Sequence, residues 1–138
     1  MAEGPRVIRV LVVEDFEPFR RLVCFKLAER PDLLVIAESS DGLEAVQKAE
    51  ELQPDLILLD VGLPNLNGLA AARQIRKLAP KARIIFVSQE SSADVVLEAL
   101  NTGAAAYVAK IDLLHLLTAV DAVLDGRQFV STALLEKL

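Results

Sequence analysis

The sequence predicts an α/β fold with a single parallel sheet, and three observations carry that prediction. Short apolar runs alternate with segments of helical periodicity along the whole chain. Several runs are apolar at consecutive positions, as in strands buried on both faces. The chain has 138 residues, 53% of them hydrophobic and 25% charged, enough for one well-buried domain and too few for two.

The elements follow in order. Val7-Ile8-Arg9-Val10-Leu11-Val12-Val13 is β-branched and almost wholly apolar, a first strand that ends in Glu14-Asp15. Pro18 then stands near a helix start, where its missing N–H is no loss, with Phe19, Leu22, Val23 and Leu27 expected to face inward before Glu29-Arg30-Pro31-Asp32 stops the helix. Leu33–Ala37 is the second strand. Ser39-Ser40-Asp41-Gly42 turns into a helix with Leu43, Val46, Ala49 and Leu52 expected inward, and Gln53-Pro54-Asp55 ends it. Leu56-Ile57-Leu58-Leu59 is the third strand, closed abruptly by Asp60 and the loop Val61-Gly62-Leu63-Pro64-Asn65-Leu66-Asn67-Gly68. Asn67 is a candidate cap for a helix with Ala72, Ile75 and Ala79 on one face and Pro80 as its stop.

The fourth strand, Ala82–Val87, ends at Ser88, and Ser91 or Ser92 is expected to cap a helix through Val96 and Leu100 to Asn101-Thr102-Gly103. Ala106–Ala109 is a short fifth strand ending at Lys110. Asp112 opens a last helix with Leu113, Leu116, Leu117, Val120 and Leu124 at helical spacing, ended by Asp125-Gly126. Parallel strands need crossovers, and these are right-handed. The expected architecture is therefore a flavodoxin-like, doubly wound sheet of five strands in the order 2-1-3-4-5 with five flanking helices. Residues 1–6 read as an N-terminal extension, 7–126 as the domain, and 127–138 as a tail or the start of a linker.

Charge and composition exclude several functions. A net charge of −5 argues against this chain gripping nucleic acid by itself. The lone Cys24 excludes an internal disulfide framework, and no apolar run has the length of a membrane span. A soluble cytoplasmic protein with no membrane partner is expected.

In the predicted order, strands one, three, four and five deliver Glu14, Asp15, Asp60, Ser88 and Lys110 to one sheet edge, where open α/β sheets bind ligands. Taken singly, each has a bland reading: an acidic pair favoured by a helix dipole, a turn hydroxyl, a solvated lysine. Their joint arrival at one edge favours a site. Two carboxylates about 4 Å apart repel by roughly 4 kcal/mol at an effective dielectric of 20, which a hard divalent cation relieves. Oxygen ligands with room for water favour Mg²⁺. If Asp60 attacks a phosphorus atom, the new oxygens can be met by the metal, the Lys110 ammonium and the Ser88 hydroxyl.

With the acidic pair Glu14-Asp15, Asp60 within its Asp60–Gly68 loop, Ser88, and Lys110 closing Gly103–Lys110, the chain resembles a response-regulator receiver domain of bacterial two-component signalling from about Val7 to Val123. The resemblance implies that Glu14, Asp15, Asp60 and the carbonyl of Gly62 hold Mg²⁺. It implies that Asp60 takes a phosphoryl group from a sensor histidine kinase, with Lys110 and Ser88 binding that group. Ser88 and Tyr107 are the implied switch residues. Ser88 would swing toward the phosphoryl oxygens, Tyr107 would turn inward, and the surface of the fourth helix, fifth strand and fifth helix would change.

The run Ala119–Ser131 resembles the exit of receivers in LuxR-type transcription factors, which implies output to DNA through a domain outside this chain, and homodimerisation on phosphorylation is among the partner choices. Leu114 reads equally as a dimer face with the first helix or as peripheral packing, and His115 as a surface or interface residue. Ile111 stands where many receivers have Pro; a cis bond after Lys110 would cost about 3–4 kcal/mol, more readily avoided by a trans loop, and the sequence leaves cis or trans open. Gly62 lacks the side chain common at its position, which leaves the phosphoryl group open to water.

Two other functions compete. One is a phosphorylation-independent docking or dimerisation module, against which the intact cluster counts. The other is a phosphatase of the haloacid-dehalogenase type, against which Gly62 counts because that chemistry wants an Asp there. Self-phosphorylation and autodephosphorylation, rather than turnover of a substrate, are the chemistry expected.

Overall fold

The computed structural model describes residues 6–136 and 138. The expected extension, residues 1–6, lies outside the described residues except for Arg6. The strands are β1 (Ile8–Val13), β2 (Leu33–Ser39), β3 (Leu56–Leu59), β4 (Arg83–Ser88), β5 (Ala106–Ala109) and β6 (Phe129–Val130). The helices are α1 (Glu17–Leu27), α2 (Gly42–Leu52), α3 (Gly68–Leu78), α4 (Ala93–Asn101), α5 (Leu116–Leu124) and α6 (Thr132–Leu135). All neighbouring strands pair in parallel, in the order β2-β1-β3-β4-β5-β6.

Alternation along the central strands builds two cores. Val10, Val12, Leu56, Leu58, Ile85, Val87 and Val108 face α1 and α5, where they meet Val23, Leu27, Leu116 and Val120. Their neighbours Leu11, Val13, Ile57, Leu59, Ile84 and Phe86 face α2, α3 and α4, and meet Ala45, Ala49, Ala72, Ile75 and Val96. A strand buried on both sides needs apolar residues at every position, which is why these runs do not alternate in sequence.

Caps set the helix starts. Asp41 accepts from Glu44 N–H at 2.7 Å, Asn67 from Ala70 N–H at 2.9 Å and Ser92 from Val95 N–H at 3.3 Å. Of the two serines considered for α4, Ser92 is thus the cap. Among the described residues no helix is long and apolar enough to cross a membrane.

Three expectations are corrected. A sixth strand extends the predicted five, and residues of the expected tail form β6 and α6, with Leu134 buried in the core on the α2–α4 side. A two-residue strand has no periodicity to read. Leu22 and Leu43, expected inward, are 50% and 52% exposed. At about 100° per residue, each falls roughly 100° or more from the centre of its helix's buried face. In α2 the small Ala45 joins the expected Val46 and Ala49 on that face instead. The last helix is also interrupted: Lys110–His115 forms a 3₁₀ turn, with Asp112 outside the helical region, before α5 begins at Leu116. The bond after Lys110 is trans, since no described peptide bond is cis.

Candidate functional site

The carboxyl ends of the central strands converge as the order requires. Beyond β1 comes Glu14, 3% exposed, followed by the exposed Asp15; beyond β3 comes Asp60, 6% exposed. Their carboxylates offer one oxygen each within 4.8 Å of one another. Ser88 ends β4 and Lys110 follows β5. A cavity of about 260 Å³ lies over them, lined by Asp15, Phe16, Asp60, Gly62, Ser88, Gln89, Glu90 and Lys110.

Backbone contacts hold the acidic groups in place. Asp60 N–H donates to the carbonyl of Val13, which ties the end of β3 to β1. The loop after Asp60 folds back on itself, and Gly68 N–H donates to the Val61 carbonyl at 2.7 Å. Gly68 is required there: a Cβ at this position would stand 1.9 Å from the backbone oxygen of Asp60. Glu14 Oε2 accepts from Phe16 N–H at 3.0 Å, and Arg20 Nη1 donates to the Glu14 carbonyl at 2.8 Å.

Lys110 closes the cluster. Its ammonium lies 2.5 Å from Glu14 Oε1 and 3.1 Å from Asp60 Oδ2, over the face of the Phe19 ring. Glu14 Oε1 is buried, and the Lys110 ammonium is the partner it meets. Burial raises the pKa of Glu14, against the opposing pull of Lys110. Burial alone would depress Lys110, but the two carboxylates outweigh it and hold its pKa above the ordinary lysine value. Three carboxylates against one ammonium leave a net negative pocket. That donor set fits a hard divalent cation.

Ser88 and Tyr107 stand together behind the cavity. Ser88 Oγ accepts from Glu90 N–H at 3.2 Å, and the Tyr107 hydroxyl donates to the Glu90 carbonyl at 2.6 Å. Tyr107 is fully buried and stacks on Phe86 with centroids 6.0 Å apart. Burial pushes its phenol up to about 12, against a hydrogen bond with Ser88. The inward position that the switch reading reserves for the phosphorylated state is thus already taken.

Gly62 has nothing within 4 Å of a built Cβ, so it presents open space and no acid. His115 and Leu114 are exposed on the 3₁₀ turn, and His115 pairs with Asp112.

Sequence reasoning missed two contributors. Phe19 was legible only as part of a helix stripe, because the residue it contacts is far along the chain. Ser131, whose Oγ accepts from Ala109 N–H at the end of β5, was placed in a tail; the only signal was a β-prone Phe-Val pair soon after the Asp125-Gly126 turn.

Known proteins with similar sequences and structures point to one family. Residues 10–121 match the family described as response regulator receiver domain. The chain is 46% identical over 107 residues to a protein-glutamate methylesterase/protein-glutamine glutaminase of Thermotoga maritima, covering 76% of this chain and 31% of that protein. It is 32% identical over 124 residues to the transcriptional regulatory protein DegU of Brevibacillus brevis, covering 89% of this chain and 52% of DegU. The chain therefore spans about a third to a half of the length of these relatives. Among solved structures, a LuxR-family two-component response regulator from Aurantimonas sp. superposes with a TM-score of 0.90 at 31% identity, covering 95% of this chain and 94% of that one. Fold, acidic pocket and family match agree: the chain belongs to the response-regulator receiver domains of two-component signalling.

Proposed function

We propose that Asp60 is the phosphoacceptor of this receiver and that phosphorylation switches its output. The observation that carries this reading is the Lys110 ammonium 3.1 Å from Asp60 Oδ2 beside an open cavity. An Asp60 oxygen forms the bond to phosphorus as the bond from phosphorus to the donor breaks; with a histidine kinase, the imidazole nitrogen leaves and takes up a proton. Lys110 then exchanges its carboxylate partners for phosphoryl oxygens, and Ser88 donates its hydroxyl to another. Glu14, Asp15, Asp60 and the Gly62 carbonyl would hold Mg²⁺, which supplies charge neutralisation for the incoming phosphoryl group. The three carboxylates, with one oxygen each within 4.8 Å of the others and only Lys110 to offset them, support that assignment.

The wider reading places the protein in the cytoplasm as the target of a sensor histidine kinase, with homodimerisation on phosphorylation. Output would run to transcription through a LuxR-type DNA-binding domain outside this chain. A second reading, docking independent of phosphorylation, is favoured by one observation: Tyr107 is already inward.

Acetyl phosphate with Mg²⁺, followed by intact mass, separates the two. Gain of one phosphoryl group by wild type and none by Asp60→Asn is expected. No gain by wild type that binds Mg²⁺ would sink the switch in favour of docking.

A further inference from the structure

The side chain of Lys110 is held by Glu14, Asp60 and Phe19, but the turn that follows it has little to fix it. The next residue, Ile111, is 92% exposed, and the 3₁₀ turn that begins at Lys110 has no side-chain cap. A residue far along the chain supplies the constraint. Phe129 N–H donates to the Ala105 carbonyl and Ser131 N–H to the Tyr107 carbonyl, so β6 runs in register along β5. In a continued parallel ladder, the Ala109 N–H would next find the carbonyl of Ser131. The chain turns into α6 there, and the Ser131 side chain takes over: its Oγ accepts from Ala109 N–H at 2.9 Å. Ser131 is fully buried, and its own carbonyl accepts from the N–H of Leu134, whose side chain is buried in the core.

The hydroxyl has a second use. Burial would raise the pKa of Asp112, but side-chain hydrogen bonds with His115 and Ser131 outweigh it and hold the carboxyl below its ordinary value. The Ser131 side chain thus holds the amide of residue 109 and helps to lower the carboxyl of residue 112, on either side of Lys110. Residue 109 ends β5, paired there with Ser88 on its other side, and Asp112 lies outside the helical region within the turn.

We propose that Ser131 is a positioning residue for Lys110: by holding the Ala109 amide and the Asp112 carboxylate, it sets where the Lys110 ammonium reaches over the Asp60 pocket. This rests on the phosphoacceptor reading of Asp60. By reciprocity, a change in the partners of Lys110 is felt at Ser131, and so in the segment β6–α6. The constraint belongs to the C-terminal segment, which gives that segment a direct mechanical tie to the chemistry.

The test uses the full chain with Ser131→Ala, Ser131→Thr and Asp112→Ala. Asp112→Ala alters a partly exposed turn and keeps the test open if a change at the buried serine impairs folding. With acetyl phosphate and Mg²⁺, Ser131→Ala is expected to slow phosphoryl uptake about five- to tenfold, the loss expected for one positioning hydrogen bond. Ser131→Thr should restore the rate and Asp112→Ala should fall between, all measured at saturating Mg²⁺. Ile75→Val, on α3, serves as a stability control and should keep the wild-type rate.

A second readout needs no phosphorylation: the ε-methylene resonance of Lys110, shifted by the Phe19 ring beneath it, should move toward its random-coil position in Ser131→Ala. Wild-type rates in both Ser131→Ala and Asp112→Ala would overturn the proposal, as would an equal slowing by Ile75→Val. An unchanged Lys110 resonance in Ser131→Ala would overturn it too. Failure of wild type to take up phosphate would instead remove the Asp60 reading, while the resonance still decides whether Ser131 places Lys110.

Discussion

The Lys110 ammonium lies 4.6 Å from the centroid of the Phe19 ring while it pairs with Asp60 Oδ2 at 3.1 Å. A ring face attracts a cation without offering it a competing charge. It can therefore hold the ammonium over the pocket while its anionic partners change. Phe19→Leu keeps an apolar side chain and loses the ring. The rate of phosphoryl uptake from acetyl phosphate should fall about two- to fivefold, matching a cation–π contribution of roughly 0.5–1 kcal/mol. Phe19→Tyr should stay near wild type. Equal rates for all three would show that the ring only fills space.

Lys110 also competes with any cation for Glu14 and Asp60. Lys110→Ala should strengthen Mg²⁺ binding by about tenfold or more, because one positive charge leaves a pocket of three carboxylates. The same variant should lose most of its phosphoryl uptake. Isothermal titration calorimetry checks the first outcome and intact mass the second. Weaker Mg²⁺ binding in Lys110→Ala would mean the acidic cluster is not the metal site.

The two glycines near Asp60 should behave oppositely. Gly68→Ala forces a Cβ to within 1.9 Å of the Asp60 oxygen, against backbone that cannot move aside cheaply. Urea unfolding should show a loss of at least about 2 kcal/mol. Gly62→Ala meets nothing and should unfold within about 0.5 kcal/mol of wild type. Larger side chains at Gly62 should lengthen the life of the phosphorylated state by covering it from water, which the decay of the phosphorylated mass would follow.

Tyr107 is the single tyrosine in the chain, so its ionisation can be followed directly by ultraviolet absorbance. Burial raises its pKa from 10.0 to about 12. The stabilising contribution is present in full below about pH 10 and is lost as the pH rises toward 12, because the unfolded phenol ionises first. Denaturation midpoints should fall over that window, by up to roughly 2–3 kcal/mol of stability. A phenol titrating near 10 in the folded protein would contradict the buried position.

Leu134 tests whether the C-terminal segment is structural. It is 2% exposed and packs in the core on the α2–α4 side. Leu134→Ala should cost about 2–4 kcal/mol in urea unfolding, while Leu135→Ala, on the exposed side of α6, should cost little.

The sequence by itself determined the layered α/β architecture, the order of the first five strands and the carboxylates, hydroxyl and lysine at their ends. These features are local: a strand buried on both faces must be apolar at each position, and a chemical residue must follow where the run stops. Right-handed crossovers then leave little freedom in how the strands are ordered. Tertiary structure alone decided the rest. Leu22 and Leu43 are apolar yet exposed because the face a helix buries is chosen by its neighbours. Phe129 and Val130 became a strand only because the edge of β5 offered unpaired groups, and two residues carry no period of their own. Phe19 under Lys110 and Ser131 against Ala109 join residues 91 and 22 positions apart, and contacts at such separations leave no trace in local spacing.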